Sequence, residues 1–77
     1  MKLEIISPEN TLFSGEVEMI TLPGIMGSFT LLSHHAPIIS GLKEGKLIYR
    51  TGQKDFEMMI NGGFVEMNND TISVCID

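Results

Sequence analysis

Apolar and polar side chains alternate with a period of two along most of this chain. At its carboxyl end Ile72, Val74 and Ile76 alternate with more polar neighbours, and this pattern puts Cys75 on the polar side. Such alternation is typical of a strand with one buried face and one wet face. No helix-long window has apolar residues at helical spacing, and Gly or Pro interrupts every candidate. The pattern predicts an all-β fold, a two-layer β-sandwich or flattened barrel of about eight to ten short strands.

Tight turns are predicted between several of these strands. The segment Thr51–Lys54 separates two alternating runs and predicts a β-hairpin. The segment Asn68–Asp70 predicts a second hairpin, because Asn and Asp tolerate the left-handed backbone region. At the amino terminus, Lys2–Ser7 is predicted to form the opening strand, with Leu3 and Ile5 on one face.

A central segment combines turn residues with two adjacent histidines. Pro23–Gly24 predicts a type II turn, since Pro presets φ and Gly accepts the positive φ that follows, and Gly27 then reopens the chain. This predicts a loop presented at one end of a sheet. Pro37 favours extended backbone before it, so His34 and His35 are predicted to lie on an extended segment and to point in opposite directions.

The alternation slips between Glu16 and Leu22. Val17 and Met19 share one face, whereas Ile20 and Leu22 share the other. A β-bulge or burial on both faces would account for the slip. Two interpretations stay open: the chain covers both faces itself, or the outer face meets a partner.

The composition bounds the class of protein. The 77 residues suffice for a single domain, 1–77, and one cysteine excludes an internal disulfide. The formal net charge of −5 disfavours nucleic-acid binding, because it would repel a phosphate backbone. No apolar run approaches the ~20 residues that span a bilayer, so membrane contact is expected only through a partner. The lack of a signal pattern at the amino terminus favours a reducing cytosolic setting.

Groups able to carry chemistry are few. His34 and His35 are neighbours on a predicted strand, and no Cys, Asp or Glu stands at zinc-like spacing, so we expect no metal site. Ser33 next to them has neither triad geometry nor a nucleophile elbow. The glycine pairs are not followed by Gly-Lys-Ser or Gly-Lys-Thr, so they do not form a P-loop. We expect no cofactor and no catalytic activity.

Three segments of the chain match, in order, the segments of a known family. They are Ile6–Val17, with Ser-Pro-Glu and Phe-Ser-Gly-Glu; Leu22–Leu42, with a Pro-Gly loop and a His-Ala-Pro step; and Ile60–Met67, with Gly-Gly-Phe-Val-Glu. Together they resemble the epsilon subunit of F-type ATP synthases over nearly the whole chain. The resemblance implies a non-catalytic β-sandwich at the foot of the rotating central stalk. There it would lie between the gamma subunit and the ring of membrane c subunits, and couple proton translocation to ATP synthesis.

The resemblance also assigns residues by position. The face against the gamma subunit corresponds to Ser7, His35, Ile39 and Ser40. The loop that reaches the c ring corresponds to Met26, Gly27 and Ser28. The resemblance further implies a peripheral position at the cytoplasmic face of the bacterial inner membrane. In isolation, we expect the chain to be a monomer.

This sequence departs from the family at three points. Ser28 stands where many members carry an acidic or amide side chain, and His34 stands where Gly or Asn usually precedes the His-Ala-Pro step. Most bacterial members continue into a helical hairpin, whereas this sequence stops at Asp77, so a short form without that regulatory hairpin is expected. One alternative function stays open: a free-standing β-sandwich adaptor or ligand-binding module that shares only the fold.

Overall fold

A computed structural model of the chain describes all 77 residues and contains nine β-strands and no helix. The strands are β1 (Lys2–Ile6), β2 (Thr11–Glu16), β3 (Met19–Gly24), β4 (Gly27–Leu32), β5 (Ile38–Leu42), β6 (Gly45–Thr51), β7 (Lys54–Ile60), β8 (Gly63–Asn68) and β9 (Thr71–Ile76). The predicted all-β class is therefore confirmed.

The strands form one curled sheet whose halves face each other across the core. Its order is β2, β1, β9, β8, β5, β3, β6, β7, with β4 pairing on β3. We call β2, β1, β9, β8 and β5 the first layer, and β4, β3, β6 and β7 the second layer. Only β1 and β9 pair in parallel. The layers join where β5 meets β3, through the single residue pair Leu42 and Gly24.

The core is built from the inward positions of both layers. It contains 14 buried apolar residues and no buried polar side chain. Leu3 and Ile5 on β1 face Ile72 and Val74 on β9 in register, and all four are fully buried, as the alternation predicted. Each such side chain contributes roughly 1.5–3 kcal/mol by leaving water.

Three aromatic rings lie where the two edges of the sheet approach each other. The ring centroid of Phe13 on β2 lies 4.4 Å from that of Tyr49 on β6, and Tyr49 lies 5.4 Å from Phe56 on β7. Phe56 remains partly exposed because β7 is an edge strand. The rings therefore close the core at the side where no backbone pairing does so.

The two predicted hairpins are present. The first connects β6 to β7 through Gly52 and Gln53, with Gly52 at φ 61°. The second connects β8 to β9 through Asn69 and Asp70, at φ 51° and 60°. In the second hairpin both central residues, Asn69 and Asp70, have positive φ, as in a type I′ turn, and this turn type matches the twist of the flanking strands.

The predicted turn at Pro23–Gly24 is wrong. Both residues lie in β3, opposite Ser28 and Gly27, and the turn consists of Ile25 and Met26. The Pro23 carbonyl accepts a hydrogen bond from the Lys43 N–H at 2.9 Å, so it points away from β4. The backbone nitrogen of a strand residue points to the same side as its carbonyl, so the missing N–H of Pro23 removes no hydrogen bond between β3 and β4.

Gly24 is needed for space rather than for its φ. A Cβ there would lie 2.7 Å from both the Gly27 carbonyl oxygen and the Phe29 ring. The positive φ in this hairpin, 131°, belongs to Gly27.

The predicted extended placement of the two histidines is also wrong. His34 lies in a turn with φ 67°, and His35 lies outside any strand, because β5 begins only at Ile38. The His35 N–H donates to the Leu32 carbonyl at 3.2 Å, which closes this turn. The bond that holds His34 comes from Asp70, far along the chain.

A break between strands accounts for the slip in alternation, so the β-bulge, one of the two explanations offered for it, is wrong. β2 ends at Glu16 and β3 begins at Met19. Val17, which lies between them, is bonded to Met1 through their backbones. The irregular register of the sheet lies instead between β1 and β2, where Ile5 pairs with Phe13 but Ile6 pairs with Thr11, so Leu12 is skipped.

Candidate interaction surfaces

Outward positions of the first layer carry apolar side chains at one end of each strand. The outward residues are Lys2, Glu4 and Ile6 on β1, Phe64, Glu66 and Asn68 on β8, and Thr71, Ser73 and Cys75 on β9. Pairing places Cys75 directly opposite both Phe64 and Ile6. Phe64 also lies opposite Gly41 on β5. These residues form an apolar row across the outer face, which we call the outer stripe: Ile6, Cys75, Phe64 and Gly41.

The outer stripe is accessible to a partner. Phe64 is 50% exposed, and Ile39, the other outward residue of β5, is 75% exposed. Glycine leaves a gap at position 41, and the side chain of Ile25 extends over it from the β3–β4 turn. The stripe is therefore an uneven apolar surface that ends against the tip of a neighbouring hairpin.

Two grooves flank the outer stripe, and two predicted residues line them. Ile39 lines a groove of about 370 Å³ together with Pro37 and Glu66. Ser7 lines a groove of about 270 Å³ together with Phe64. Strand directions put these grooves at opposite ends of the first layer, since Ile39 lies near the start of β5 and Ser7 follows the end of β1.

The other two residues predicted to face the gamma subunit are placed differently. Ser40 is directed inward beside Ile39, and its hydroxyl donates to the Gly41 carbonyl at 3.0 Å. His35 is exposed beyond the start of β5, and its Nδ1 lies 2.7 Å from the Ala36 carbonyl oxygen. A carbonyl can only accept, so Nδ1 carries the proton and Nε2 is left for another partner. The four predicted residues thus do not form one cluster.

Carboxylates dominate the charge of the first layer's outer face. Glu66 lies opposite Ser73, which in turn lies opposite Glu4, so two acidic side chains occupy the row beside the outer stripe. Asp77 lines the Ser7 groove. Lys2, at the far end of β1, is the outward cation of these strands. A partner suited to this face is apolar at its centre and basic around it.

The β3–β4 tip is the most exposed apolar point of the molecule. Met26 is 98% exposed, and Ser28 beside it is also exposed. The Ile25 N–H donates to the Gly41 carbonyl at 3.0 Å, which fixes the tip to β5. The predicted loop residues Met26, Gly27 and Ser28 therefore lie together, on a hairpin that a neighbouring strand supports.

The outer face of the second layer is more polar. Arg50 and Asp55 form a bidentate ion pair of 2.6 and 3.2 Å. The hydrogen bond from Arg50 lowers the pKa of Asp55, and the same bond raises the pKa of Arg50. Met59, 68% exposed, stands beside a second pair made by Lys46 and Glu57 at 3.5 Å. Its apolar residues are therefore interspersed with charge.

The chemical groups of the chain do not assemble into a reaction centre. No group of three or more His, Cys, Asp or Glu side chains is placed to hold a metal ion. Every buried side-chain nitrogen and oxygen has a hydrogen-bond partner. The chain contains no helix that is long and apolar enough to cross a membrane.

Phe64, Ile6 and Ile25 were not predicted from the sequence as surface residues. A signal for the first two was present, because each is the one apolar residue among the outward positions of its strand. Cys75 was predicted on the polar side, and it does lie outward, but between two apolar neighbours. The contact of Ile25 with the gap at Gly41 had no signal, since it depends on the pairing of β3 with β5.

Comparison with known proteins gives one consistent result. The family model for the β-sandwich domain of the ATP synthase delta/epsilon chain matches residues 1–77. The ATP synthase epsilon chain of Dehalococcoides mccartyi is 36% identical over 77 residues, and that of Leptospira interrogans is 40% identical over 77 residues. Both alignments cover 100% of this chain, which spans 55% and 61% of those relatives.

Solved structures agree on the fold. A chain in the mitochondrial ATP synthase of Euglena gracilis, described as OSCP/F1/c-ring, matches with a TM-score of 0.90 at 23% identity, over 96% of this chain and 48% of that one. A chain in the central stalk/c-ring structure of the Tetrahymena thermophila enzyme matches with a TM-score of 0.83 at 16% identity, over 97% of this chain and 61% of that one.

Proposed function

Because this chain belongs to the delta/epsilon β-sandwich family of ATP synthase, we propose that it is a rotor subunit that links the gamma subunit to the c ring and couples proton translocation to ATP synthesis. The observation that carries the proposal is the match of the family model to the whole chain. The outer stripe and the exposed β3–β4 tip support it, because a linking subunit needs two separate contact surfaces.

The gamma subunit binds the outer face of the first layer. Phe64 and Ile39 supply apolar area, and interface energy concentrates on such side chains when they become fully desolvated. Glu66 and Glu4 lie beside them and favour a partner with basic residues at its rim. Ser7 and His35 contact gamma at the two ends of this face, and partly buried Ser40 acts by holding β5 in position.

The c ring binds the β3–β4 tip. Met26 projects from the hairpin, and Gly27 and Ser28 leave it without bulky neighbours. The chain contributes contact and position rather than chemistry, and needs no cofactor. Its place is peripheral, at the cytoplasmic face of a bacterial membrane, where it meets the membrane only through the complex. These 77 residues act as one domain.

Binding to the gamma subunit tests the proposal. Full-length chain and gamma subunit of the same enzyme are titrated by calorimetry, using wild type, Ile39→Asp, Phe64→Asp and His35→Ala. The matched control is Met59→Asp, which places the same charge at a similarly exposed position on the other layer. We expect Ile39→Asp and Phe64→Asp to weaken binding by about tenfold or more. We expect a smaller loss for His35→Ala and no change for the control.

Two outcomes would contradict this assignment. Equal affinities for all variants would move the gamma site away from the outer stripe. A wild-type chain that does not bind gamma at all would favour the alternative, a free-standing adaptor or ligand-binding module with the same fold.

A further inference from the structure

We propose that Asn61 is a site of spontaneous deamidation, where isoaspartate forms in the folded chain and loosens the crossing from β7 to β8. The site is the pair Asn61–Gly62, which is the whole connection between the end of β7 at Ile60 and the start of β8 at Gly63. The inference concerns the chemical lifetime of the folded chain and does not depend on the rotor function.

The first support is the state of the two groups that react. The side chain of Asn61 is exposed and makes no hydrogen bond to another group of the chain. The N–H of Gly62 donates to no backbone carbonyl, although Gly62 is buried. Most buried backbone N–H groups are paired, so an unpaired one directly after an exposed asparagine is uncommon. Both reacting groups are therefore unengaged.

The second support is the identity of the residue that follows. Glycine has no Cβ to obstruct the approach of its nitrogen to the asparagine side chain, and its backbone is the most adaptable of any residue. The other asparagines, Asn10, Asn68 and Asn69, are followed by threonine, asparagine and aspartate, which all carry a Cβ. Asn68 lies within β8, and Asn69 lies in the tight turn after it. Asn61 is therefore the most reactive asparagine of this chain.

The reaction needs water and no other reagent. The backbone nitrogen of Gly62 loses its proton and attacks Cγ of Asn61, the bond from Cγ to the side-chain nitrogen breaks, and ammonia leaves with that proton. The product is a five-membered succinimide ring. Water then adds to one of the two ring carbonyls and opens the ring. Opening at Cγ gives aspartate, whereas opening at the backbone carbonyl gives isoaspartate, in which the main chain runs through Cβ and Cγ.

Isoaspartate at position 61 lengthens the main chain by one methylene where the structure holds it on both sides. Before the site, Ile60 is buried in the core. After it, the Gly62 carbonyl accepts a hydrogen bond from the Asp77 N–H at 3.1 Å. Gly63 then pairs with β5 on one side and with β9 on the other. The extra methylene is accommodated by displacing Gly62, which weakens its bond to Asp77.

Ageing of the full chain tests the reaction. Wild type and Asn61→Gln are incubated at mildly alkaline pH, which speeds the attack because the nitrogen reacts deprotonated. Peptide mass spectrometry and isoaspartate-specific enzymatic methylation follow the products over time. We expect Asn61 to convert at least about tenfold faster than the other asparagines, because only its follower lacks a Cβ. Asn61→Gln keeps the amide but must close a larger ring, so it should accumulate almost no isoaspartate.

Urea denaturation and amide exchange test the structural consequence. The isoaspartate form, separated from the aged sample, is compared with fresh wild type and with Asn61→Asp, which has the charge of the other product and an unchanged backbone. We expect the isoaspartate form to unfold at a lower urea concentration, and its Asp77 amide to exchange hydrogen faster. Asn61→Asp should stay close to wild type. The amide of Ile20, buried in β3, should keep its protection in all three.

Three results would overturn the inference. If Asn61 converts no faster than the other asparagines, the pair is not a preferred site. If Asn61 converts in urea-unfolded chain but not in folded chain, the fold protects it. If the isoaspartate form keeps the urea midpoint and the Asp77 exchange rate of fresh wild type, the crossing absorbs the methylene without loosening.

Discussion

The backbone N–H of His34 donates to Oδ1 of Asp70 at a distance of 2.7 Å, across 36 residues of chain. Both residues have positive φ, 67° for His34 and 60° for Asp70. The carboxylate thus fixes the turn after β4 to the turn between β8 and β9, and with it the segment that carries His35. A charged acceptor makes this bond stronger than one between neutral groups.

Removing this acceptor should loosen the His34 turn. We expect Asp70→Gly, which keeps the backbone free to adopt φ 60°, to lose roughly 1.5–3 kcal/mol of unfolding free energy and to speed hydrogen exchange at the His34 amide. Asp70→Asn keeps a side-chain oxygen and tolerates the same φ, so it should lose less. Urea denaturation and amide exchange measure both effects. An unchanged exchange rate at His34 in Asp70→Gly would show that the bond does not hold the turn.

The sequence predicted the core because each strand reveals its own buried face. Ile72 and Val74 alternate with polar residues, and burial of that face needs no knowledge of its neighbours. The type of fold follows from such local patterns, and the structure agrees with it.

Register between distant strands is where prediction failed. The outer stripe depends on Ile6 lying opposite Cys75, a parallel pairing of the first and last strands that no local signal reveals. The His34 turn likewise depends on the distant residue Asp70, whereas the local signal, Pro37, predicted an extended backbone. Pro23–Gly24 has the residues of a turn but lies in a strand. Gly24 is required there because the Gly27 carbonyl and the Phe29 ring of β4 lie too close for a Cβ.

The isolated chain should be monomeric and contain no helix. The edge strand β7 carries Lys54, Asp55 and Glu57, and charged side chains oppose pairing between exposed strand edges. Sedimentation equilibrium should give the mass of one chain at micromolar concentrations, and far-UV circular dichroism should show a β spectrum. A stable dimer would indicate that the outer stripe or an edge pairs with a second copy.

The ion pair of Asp55 and Arg50 should make a pH-dependent contribution to stability. Pairing lowers the pKa of Asp55 below its ordinary value of 3.8, so the unfolded chain binds the proton more readily. The contribution is complete above the ordinary pKa and disappears as pH falls through the lowered folded value. Both groups are exposed, so the effect is small and screened by salt.

Thermal denaturation over a pH series would measure this contribution. Wild type should melt at a higher temperature than Asp55→Asn at neutral pH, and the difference should vanish in strong acid. Glu9→Gln is the control, because Glu9 is exposed and makes no ion pair. A difference that persists unchanged at low pH would assign the effect of Asp55→Asn to something other than the charge.

Two glycines near the β3–β4 tip should lose different amounts of stability on the same substitution. A Cβ at Gly41 would collide with the end of the Ile25 side chain, which can move aside. A Cβ at Gly24 would meet the Gly27 carbonyl and the Phe29 ring at 2.7 Å, and the backbone cannot yield without breaking the hairpin. We therefore expect Gly41→Ala to lower the unfolding free energy by less than about 1 kcal/mol, and Gly24→Ala to lower it by about 2 kcal/mol or more.

The distinctive consequence of Gly41→Ala concerns the tip rather than stability. Displacing the Ile25 side chain removes one of its two attachments to β5, so the Ile25 amide should exchange hydrogen faster while core amides such as that of Val65 do not. Amide exchange followed by NMR gives both rates in one experiment. Equal protection of Ile25 in wild type and Gly41→Ala would mean that the backbone bond to the Gly41 carbonyl alone fixes the tip, and that the side chain over Gly41 contributes nothing to its rigidity.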